Sequence, residues 1–383
     1  MLLDDLNPAQ RQAVVHEGSP LLVVAGAGSG KTRVITTKIA QLLVSGYRAS
    51  QIAAITFTNK AAQEMRERAK QLVGNKAAKD LAISTFHSLG VRLLREEGTR
   101  LGLKEQFSIL DSDDVLNVLK DAGGTTDMNQ ARRWQWTISL WKNQGLGPAQ
   151  AAAVAQDDDE RAAAAVMVRY QERLAAYHAV DFDDLITLPL KLLSTDAEAR
   201  AKWQDKLRYV LVDEYQDTNA VQYELLKALV GERGMFTAVG DDDQSIYGWR
   251  GAEVANLLDL EKHFPEVKVV KLEQNYRSTN TILQAANAVI KNNARRRGKN
   301  LWSQNGQGGK IQLQVFENEE AEARTVAETI EFKRMTKRVP WGDQAILFRT
   351  NLQSRPIEME LRKAGIRYHL IGGQSYFDRR EVR

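Results

Sequence analysis

Cysteine is absent from this 383-residue sequence, which excludes disulfide bonds and thiolate metal sites. The five histidines are scattered and show no metal-ligand spacing. No apolar run approaches the roughly 18 residues that a membrane span needs. The segment from Met1 to Pro8 has no basic region ahead of an apolar run, so it does not resemble an export signal. We therefore expect a globular protein of the cytoplasm that does not associate with membranes.

A large excess of charge of either sign is also absent, because the formal net charge is only +4. The distribution is uneven: residues 1–277 contain 34 basic and 38 acidic side chains, whereas residues 278–383 contain 19 basic and 11 acidic ones. A basic segment suits a polyanionic partner such as nucleic acid, but it also suits an ordinary solvated surface. Composition alone leaves both interpretations open.

What the sequence does contain is a series of short, continuous apolar runs separated by stretches with helical periodicity. Runs of this kind are typical of buried strands in a parallel sheet. The predicted strands are Leu21–Ala25, Ile52–Phe57, Leu81–Thr85, Tyr209–Val212, Phe236–Val239 and Val267–Leu272. The sequence therefore predicts an α/β fold with a doubly wound sheet.

Two other regions differ from this pattern. Between Ser88 and Leu193 the sequence is helical and rich in alanine, which predicts a helical insertion in the sheet. Beyond Arg277 a second α/β pattern begins. Its predicted strands are Ile311–Phe316, Gln344–Arg349 and Arg367–Ile371.

A phosphate-binding loop follows the first predicted strand and precedes a predicted helix from Arg33 to Val44. Small residues there let backbone N–H groups surround phosphates, and the helix N-terminus faces the anion. Lys31 is predicted to reach the outer phosphates, and the Thr32 hydroxyl to bind Mg²⁺. The first position is Ala25 instead of glycine, which is acceptable if its φ is negative. The loop consists of Ala25, Gly26, Ala27, Gly28, Ser29, Gly30, Lys31 and Thr32.

Two adjacent carboxylates, Asp213 and Glu214, follow the predicted strand Tyr209–Val212. The carboxyl end of a parallel strand is where α/β sheets bind ligands. Asp213 is predicted to hold Mg²⁺ directly or through water, and Glu214 to orient and deprotonate the attacking water. The alternative is an acidic pair that caps the next helix. These two motifs predict a nucleoside triphosphatase and leave a kinase or a transporter subunit open.

Seven motifs in a fixed order narrow the possible classes of nucleoside triphosphatase. Together they resemble the motifs of superfamily 1 DNA helicases of the UvrD/Rep/PcrA class. They are Leu6–Gln10, Thr56–Ala62, Ser84–His87, Asp181–Asp184, Asp213–Asp217, Gly240–Gly251 and Gln274–Ser278. The resemblance implies a RecA-like module in two parts, residues 1–84 and 186–277, interrupted by a helical domain at 85–185. A second RecA-like module would begin at 278 and remain incomplete at 383, with ATP in the cleft between the modules.

The resemblance also implies roles at the nucleotide. Gln10 would read the adenine edge, and Tyr276 and Arg33 would sandwich the base. Gln244 would sense the γ-phosphate. Arg277 would be an arginine finger, which suits a guanidinium because its planar fork matches phosphoryl oxygens and stays charged.

Six further residues fall at motif positions that touch single-stranded DNA in similar helicases: Phe57, His87, Phe182, Tyr247, Trp249 and Arg250. Aromatic faces stack on any base, as a sequence-indifferent motor requires. Taken singly, Phe57 and Phe182 also suit a hydrophobic core. The basic run from Lys291 to Lys299 suits either phosphate contacts or a solvated surface, and we favour the surface.

The implied function is an ATP- and Mg²⁺-dependent single-stranded DNA translocase or DNA helicase of 3′ to 5′ polarity. It would act on single strands and on single-strand/double-strand junctions in DNA replication or repair, with proteins of those processes as possible partners. Late motifs of the family are not among the 383 residues. We therefore expect a truncated chain that binds ATP but hydrolyses it poorly.

Three alternatives are retained. The chain could be the ATPase portion of a helicase–nuclease subunit. It could be a catalytically silent protein that binds single-stranded DNA or docks a partner. It could also be a P-loop enzyme that acts on a small substrate.

Overall fold

The computed structural model describes residues 2–372, which form two compact units that divide between Gly309 and Lys310. Residues 278–309 pack within the first unit. The domain boundaries given above remain predictions. Among the described residues, no helix has the length and apolar character needed to cross a membrane.

The strands of the first unit form one large and one small sheet, both parallel. The large sheet has the order β3-β2-β6-β7-β1-β8, and β4 pairs with β5. Each of the six runs predicted between residues 21 and 272 is a strand of the large sheet, which confirms the α/β fold. The strands are β1 Leu21–Ala25, β2 Ile52–Thr56, β3 Ala82–Thr85, β4 Ser108–Ile109, β5 Ala179–Val180, β6 Tyr209–Val212, β7 Phe236–Gly240 and β8 Lys268–Leu272.

Seventeen α-helices are present in the described residues. They are α1 Pro8–Val15, α2 Lys31–Val44, α3 Asn59–Val73, α4 Asn75–Asp80, α5 Phe86–Glu97, α6 Ser112–Gly123, α7 Met128–Asn143, α8 Pro148–Val154, α9 Asp158–Ala176, α10 Asp184–Thr195, α11 Ala197–Lys206, α12 Ala220–Val230, α13 Ala255–Leu258, α14 Leu260–His263, α15 Asn280–Ile290, α16 Glu319–Lys337 and α17 Ser354–Lys363.

Helices cover both faces of the large sheet, because successive side chains of a strand point to opposite faces. Leu22 and Val24 of β1 belong to a core shared with α5, α10, α11 and α12. Leu21 and Val23 belong to a core on the other face, shared with α1, α2 and α3. The result is a three-layer module whose strand ends present the loops described below.

The helical insertion has a core of its own, built from α6, α7, α8 and α9 around Trp134, Trp141 and Met167. Helix α5 lies within the predicted insertion, yet its Phe86 and Leu89 pack in the core of the large sheet. The insertion therefore has a core between residues 115 and 179 that is distinct from the cores of the sheet.

The second unit contains α16 and α17, which enclose a small core of Ala327, Leu361 and Ile366. The three strands predicted between residues 311 and 371 are not strands in the described part of this unit. A strand needs a hydrogen-bonded neighbour, and these runs make no ladder bonds within residues 310–372. The side chains of Leu313 and Leu347 are correspondingly 90% and 94% exposed.

Candidate active site and single-strand surface

The phosphate loop connects the end of β1 to the first turn of α2. Ala25 is buried as the last residue of β1 and is not among the residues with positive φ, so alanine fits the first position. Gly28 and Gly30 have φ values of 63° and 86°, which L-residues with a side chain rarely adopt. A Cβ on Gly28 would lie 2.6 Å from Asn275 Nδ2, and one on Gly30 would lie 2.7 Å from Gln10 Nε2. Both positions therefore require glycine.

The acidic pair lies opposite this loop. Lys31 Nζ lies 3.5 Å from Glu214 Oε1. The backbone N–H of Glu214 donates to Asp213 Oδ1 at 2.8 Å, and Glu214 itself has a φ of 50°. A left-handed conformation in a non-glycine residue is costly and is common at functional sites. The tight turn thus directs two neighbouring carboxylates to the same edge of the sheet.

The residues here fit a Mg²⁺-bound nucleotide. Burial, followed by the charge of Glu214, raises the pKa of Asp213 to about 6. Asp217 has a pKa that burial also raises to about 6, and its Oδ1 is buried without a hydrogen-bond partner in the described chain. Carboxylate and hydroxyl oxygens are the ligands that Mg²⁺ prefers, and a bound cation would compensate these desolvated groups. Thr32, in the first turn of α2, supplies a hydroxyl.

Glu214 and Gln244 are connected by two residues that the sequence analysis did not assign. Gln216 is buried; its Nε2 donates to Glu214 Oε2 at 2.7 Å, and its Oε1 accepts from the Asp241 N–H at 3.0 Å. Asp241 Oδ2 in turn accepts from Gln244 Nε2 at 2.7 Å. A hydrogen-bonded path therefore runs from Glu214, the predicted general base, to Gln244, the predicted γ-phosphate sensor. The signal was available, because both connecting residues lie inside motifs already identified.

The acidic run Asp241–Asp243 is neutralised by residues from the basic run. Lys299 Nζ lies 3.0, 2.6 and 3.0 Å from carboxylate oxygens of the three aspartates, and its side chain is 2% exposed. Arg296 donates to both oxygens of Asp243, at 2.8 and 2.6 Å. The solvated-surface interpretation of residues 291–299 is therefore wrong for Lys299 and Arg296. It fails because it overlooked aspartates more than 50 positions upstream as partners.

The aspartate oxygens lie within 4.8 Å of one another, a spacing that can also hold a metal ion. The ammonium group of Lys299 already lies among them, so this cluster has its own cation.

A third segment, following β8, closes on the phosphate loop. Asn275 Nδ2 donates to the Ala27 carbonyl at 2.6 Å, and Asn275 Oδ1 accepts from the N–H groups of Arg277 and Ser278 at 2.8 Å each. The N–H of Tyr276 donates to the Gly28 carbonyl at 2.8 Å. Asn275, which the sequence analysis did not assign, thus positions the predicted base-stacking tyrosine and the predicted arginine finger.

The predicted base pocket is partly formed. Tyr276 is 51% exposed, and its hydroxyl accepts from Asn7 Nδ2 at 2.7 Å. The Arg33 side chain is 53% exposed and lies 3.8 Å from Asp5. Gln10 is buried and has protein partners for both ends of its amide, the Ser29 carbonyl and the Asn7 N–H. These two bonds orient the amide, which keeps a second N–H and a second lone pair for the predicted contact with adenine.

The six residues predicted to contact DNA fall into three groups. Phe57 is half-buried, lies 5.5 Å from the Phe86 ring and packs against the sheet core. His87 and Phe182 form an edge-to-face pair with ring centroids 6.0 Å apart, and burial lowers the pKa of His87. Tyr247, Trp249 and Arg250 form the third group. The Arg250 guanidinium lies 5.2 Å from the Tyr247 ring and 4.5 Å from the Trp249 ring.

Phe182 owes its position to a buried ion network. Lys142 Nζ donates to Asp181 at 2.9 and 2.8 Å and to Asp184 at 2.6 Å, while Tyr170 donates to Asp181 at 2.7 Å. Phe182 lies between the two aspartates in sequence and is 55% exposed, so the core interpretation of Phe182 is wrong. The network connects α7 and α9 of the insertion to the start of α10.

Comparisons with known proteins agree with these motifs. Residues 6–265 match the UvrD/REP helicase N-terminal domain, and residues 270–383 match the UvrD-like helicase C-terminal domain. The chain is 49% identical to the ATP-dependent DNA helicase Rep of Escherichia coli over 99% of the chain and 57% of that protein. It is 46% identical to the ATP-dependent DNA helicase PcrA of Bacillus subtilis, over 100% of the chain and 52% of that protein. The chain therefore spans about half the length of these relatives, and it belongs to the UvrD/Rep helicase family.

Proposed function

We propose that this chain carries the ATP-hydrolysing part of a single-stranded DNA translocase or DNA helicase. One observation supports the proposal: a single segment, residues 240–251, contributes to both predicted sites. At its start, Asp241 and Gln244 join the hydrogen-bonded path to Glu214. At its end, Trp249 and Arg250 form an exposed aromatic and cationic surface.

At the nucleotide, the proposed division of work follows the geometry. The N-terminus of α2 and Lys31 bind the phosphates. Asp213 and Thr32 would hold Mg²⁺, which neutralises charge on the phosphate oxygens when bound. Glu214 is oriented by Gln216 to accept a proton from the attacking water. Gln244 and Arg277 would contact the transferred phosphoryl group.

At the DNA, exposed aromatic rings suit stacking on bases without regard to sequence. A change at Gln244 on nucleotide binding or hydrolysis has a direct covalent route to Trp249, five residues later. We propose that this route couples ATP turnover to stepwise movement along one strand. We adopt the 3′ to 5′ polarity and a role in replication or repair from the family.

The test compares ATP hydrolysis with and without a single-stranded oligonucleotide, with Lys31→Ala as the blank. It also compares the affinity for an ATP analogue with and without the oligonucleotide. Lys31-dependent stimulation, or reciprocal strengthening or weakening of the two ligands by roughly 5-fold or more, supports the proposal. DNA binding that ignores both nucleotide and Lys31→Ala would favour a silent binding protein. Turnover indifferent to DNA would favour an enzyme with a small substrate.

A further inference from the structure

The inserted helices present an aromatic side chain directly against the proposed DNA surface. Trp136 of α7 stacks on Trp249, with ring centroids 5.8 Å apart and planes inclined by 9°. The two rings are 53% and 49% exposed. A Cβ built on Gly251 would lie 3.6 Å from Leu140 Cδ1, so the loop that carries Trp249 rests against α7.

Trp136 is not part of the core of the insertion. Helix α7 buries Ala131, Trp134, Ile138 and Trp141, which are spaced three or four residues apart and therefore share one face. Trp136 lies outside that face, so its large apolar ring does not pack in the core of the insertion. Its contact with Trp249 makes a continuous two-ring surface that begins on the loop after β7 and extends onto the insertion.

Two cations accompany this ring. Arg132 and Arg133 precede Trp136 by one helical turn, are exposed, and make no ion pair within residues 2–372. Both line a cleft of about 510 Å³ together with Trp136 and Thr137.

The opposite wall of the cleft is acidic and includes Asp157 and Glu160 at the start of α9. Asp157 caps that helix by accepting from the Glu160 N–H, and Glu160 accepts from the Gln156 N–H at 2.7 Å. Because this wall would repel phosphates, a bound strand should follow the wall that carries the arginines.

We propose that Trp136, with Arg132 and Arg133, is a further contact site for single-stranded DNA. This inference rests on the proposed function and extends its DNA surface from Trp249 onto α7. Trp136 supplies a stacking face for one more base, and the two guanidiniums face the adjoining phosphates. Stacking is indifferent to base identity, and the arginines are indifferent to sequence, which matches the rest of the surface.

The experiment measures binding of a fluorescently labelled oligothymidylate by anisotropy. Trp136→Ala is expected to weaken binding roughly tenfold, while Trp136→Phe keeps a stacking ring and most of the affinity. Arg132→Gln combined with Arg133→Gln is expected to reduce the slope of log affinity against log salt by roughly 0.7 for each phosphate that is no longer neutralised.

Matched controls come from the same insertion. Tyr177→Ala removes an aromatic side chain that is 58% exposed, and Arg161→Gln removes an exposed arginine that pairs with Asp158. Neither control should change affinity or salt slope. Because Trp136 is more than half exposed, circular dichroism and melting temperature should match the parent chain in every variant.

The outcomes separate this inference from the function beneath it. If Trp249→Ala weakens binding and Trp136→Ala leaves it within twofold of the parent, the extension onto α7 is overturned. Tighter binding by Trp136→Ala also overturns it, because the ring would then be shielding Trp249. If Trp249→Ala itself has no effect, the proposed DNA surface fails. When Trp136→Ala is added to Trp249→Ala, it should reduce the affinity for the oligonucleotide by less than it does alone, because the two rings form one stack.

Discussion

Replacing Lys299 by Met tests whether the three aspartates after β7 depend on a built-in cation. Methionine keeps the length and the apolar stem but removes the ammonium, which lies 3.0, 2.6 and 3.0 Å from the carboxylates. Arg296 remains on Asp243, whereas Asp241 and Asp242 lose the only side-chain cation they have within residues 2–372. Removing one partner of a buried pair costs about 3–5 kcal/mol. We expect a loss of about 3 kcal/mol, because Arg296 still compensates one carboxylate.

The measurement is urea unfolding followed by tryptophan fluorescence, which reports mainly on the first unit because six of the seven tryptophans precede residue 310. Arg295→Met is the matched control: its side chain is 64% exposed and pairs with Asp259 at 2.7 Å, so about 1 kcal/mol or less should be lost. A loss below about 1 kcal/mol in Lys299→Met, at an unchanged m-value, would refute the reasoning.

A second arm uses metal ions. Without the ammonium, three clustered carboxylates offer hard oxygen ligands to Mg²⁺ or Ca²⁺. Either ion should therefore stabilise Lys299→Met by more than it stabilises the parent chain, in which the ammonium occupies the cluster. Because Asp241 also holds Gln244, ATP hydrolysis should fall in the variant and recover in part with the conservative Lys299→Arg.

Three other predictions concern single groups. The pKa of Asp213 is raised to about 6, so its side chain is a carboxylate above that pH. Below that pH it must release a proton before it can bind Mg²⁺, and the affinity for Mg²⁺-nucleotide should therefore be lower at about pH 5.5 than at about pH 7. A nucleotide titration at both pH values checks this, and equal affinities would contradict it. Lys142→Met should cost about 3–5 kcal/mol in urea unfolding and weaken DNA binding through Phe182, and full retention of both would contradict the anchoring role. Gly28→Ala should abolish nucleotide binding in a titration while the melting temperature falls only slightly, because its φ is 63° and the loop is crowded; normal binding would contradict this.

The centre of the sheet could be predicted from the sequence because β1, β2, β6 and β7 are short runs buried along their whole length, and burial on both faces leaves few other structures for such a run. The nucleotide residues could be predicted because the phosphate loop is local in sequence. The buried ion pairs of Lys299 could not be predicted, because a basic run has the same sequence whether water or a distant carboxylate surrounds it. Its burial is a property of the folded chain.

Phe182 shows a second limit. Taken singly, a phenylalanine suits a hydrophobic core, but here the flanking aspartates are buried against Lys142 and the ring is exposed. The strands predicted after residue 310 are not found in the part of the second unit that the structure describes. A strand requires a hydrogen-bonded neighbour, and an apolar pattern does not reveal whether one is present.

The order of strands in the large sheet gives the site a fixed length scale. The strands β6, β7, β1 and β8 are adjacent, so the segments that carry Glu214, Gln244, Lys31 and Arg277 leave one edge side by side. Neighbouring strands are spaced by about 4.8 Å, so the four segments are distributed over roughly 14 Å. The spacing of the strands therefore fixes the distances between the points at which these four segments begin. Inserted residues should therefore be tolerated in loops at the amino ends of these strands, and not between the carboxyl end of a strand and the segment that follows it.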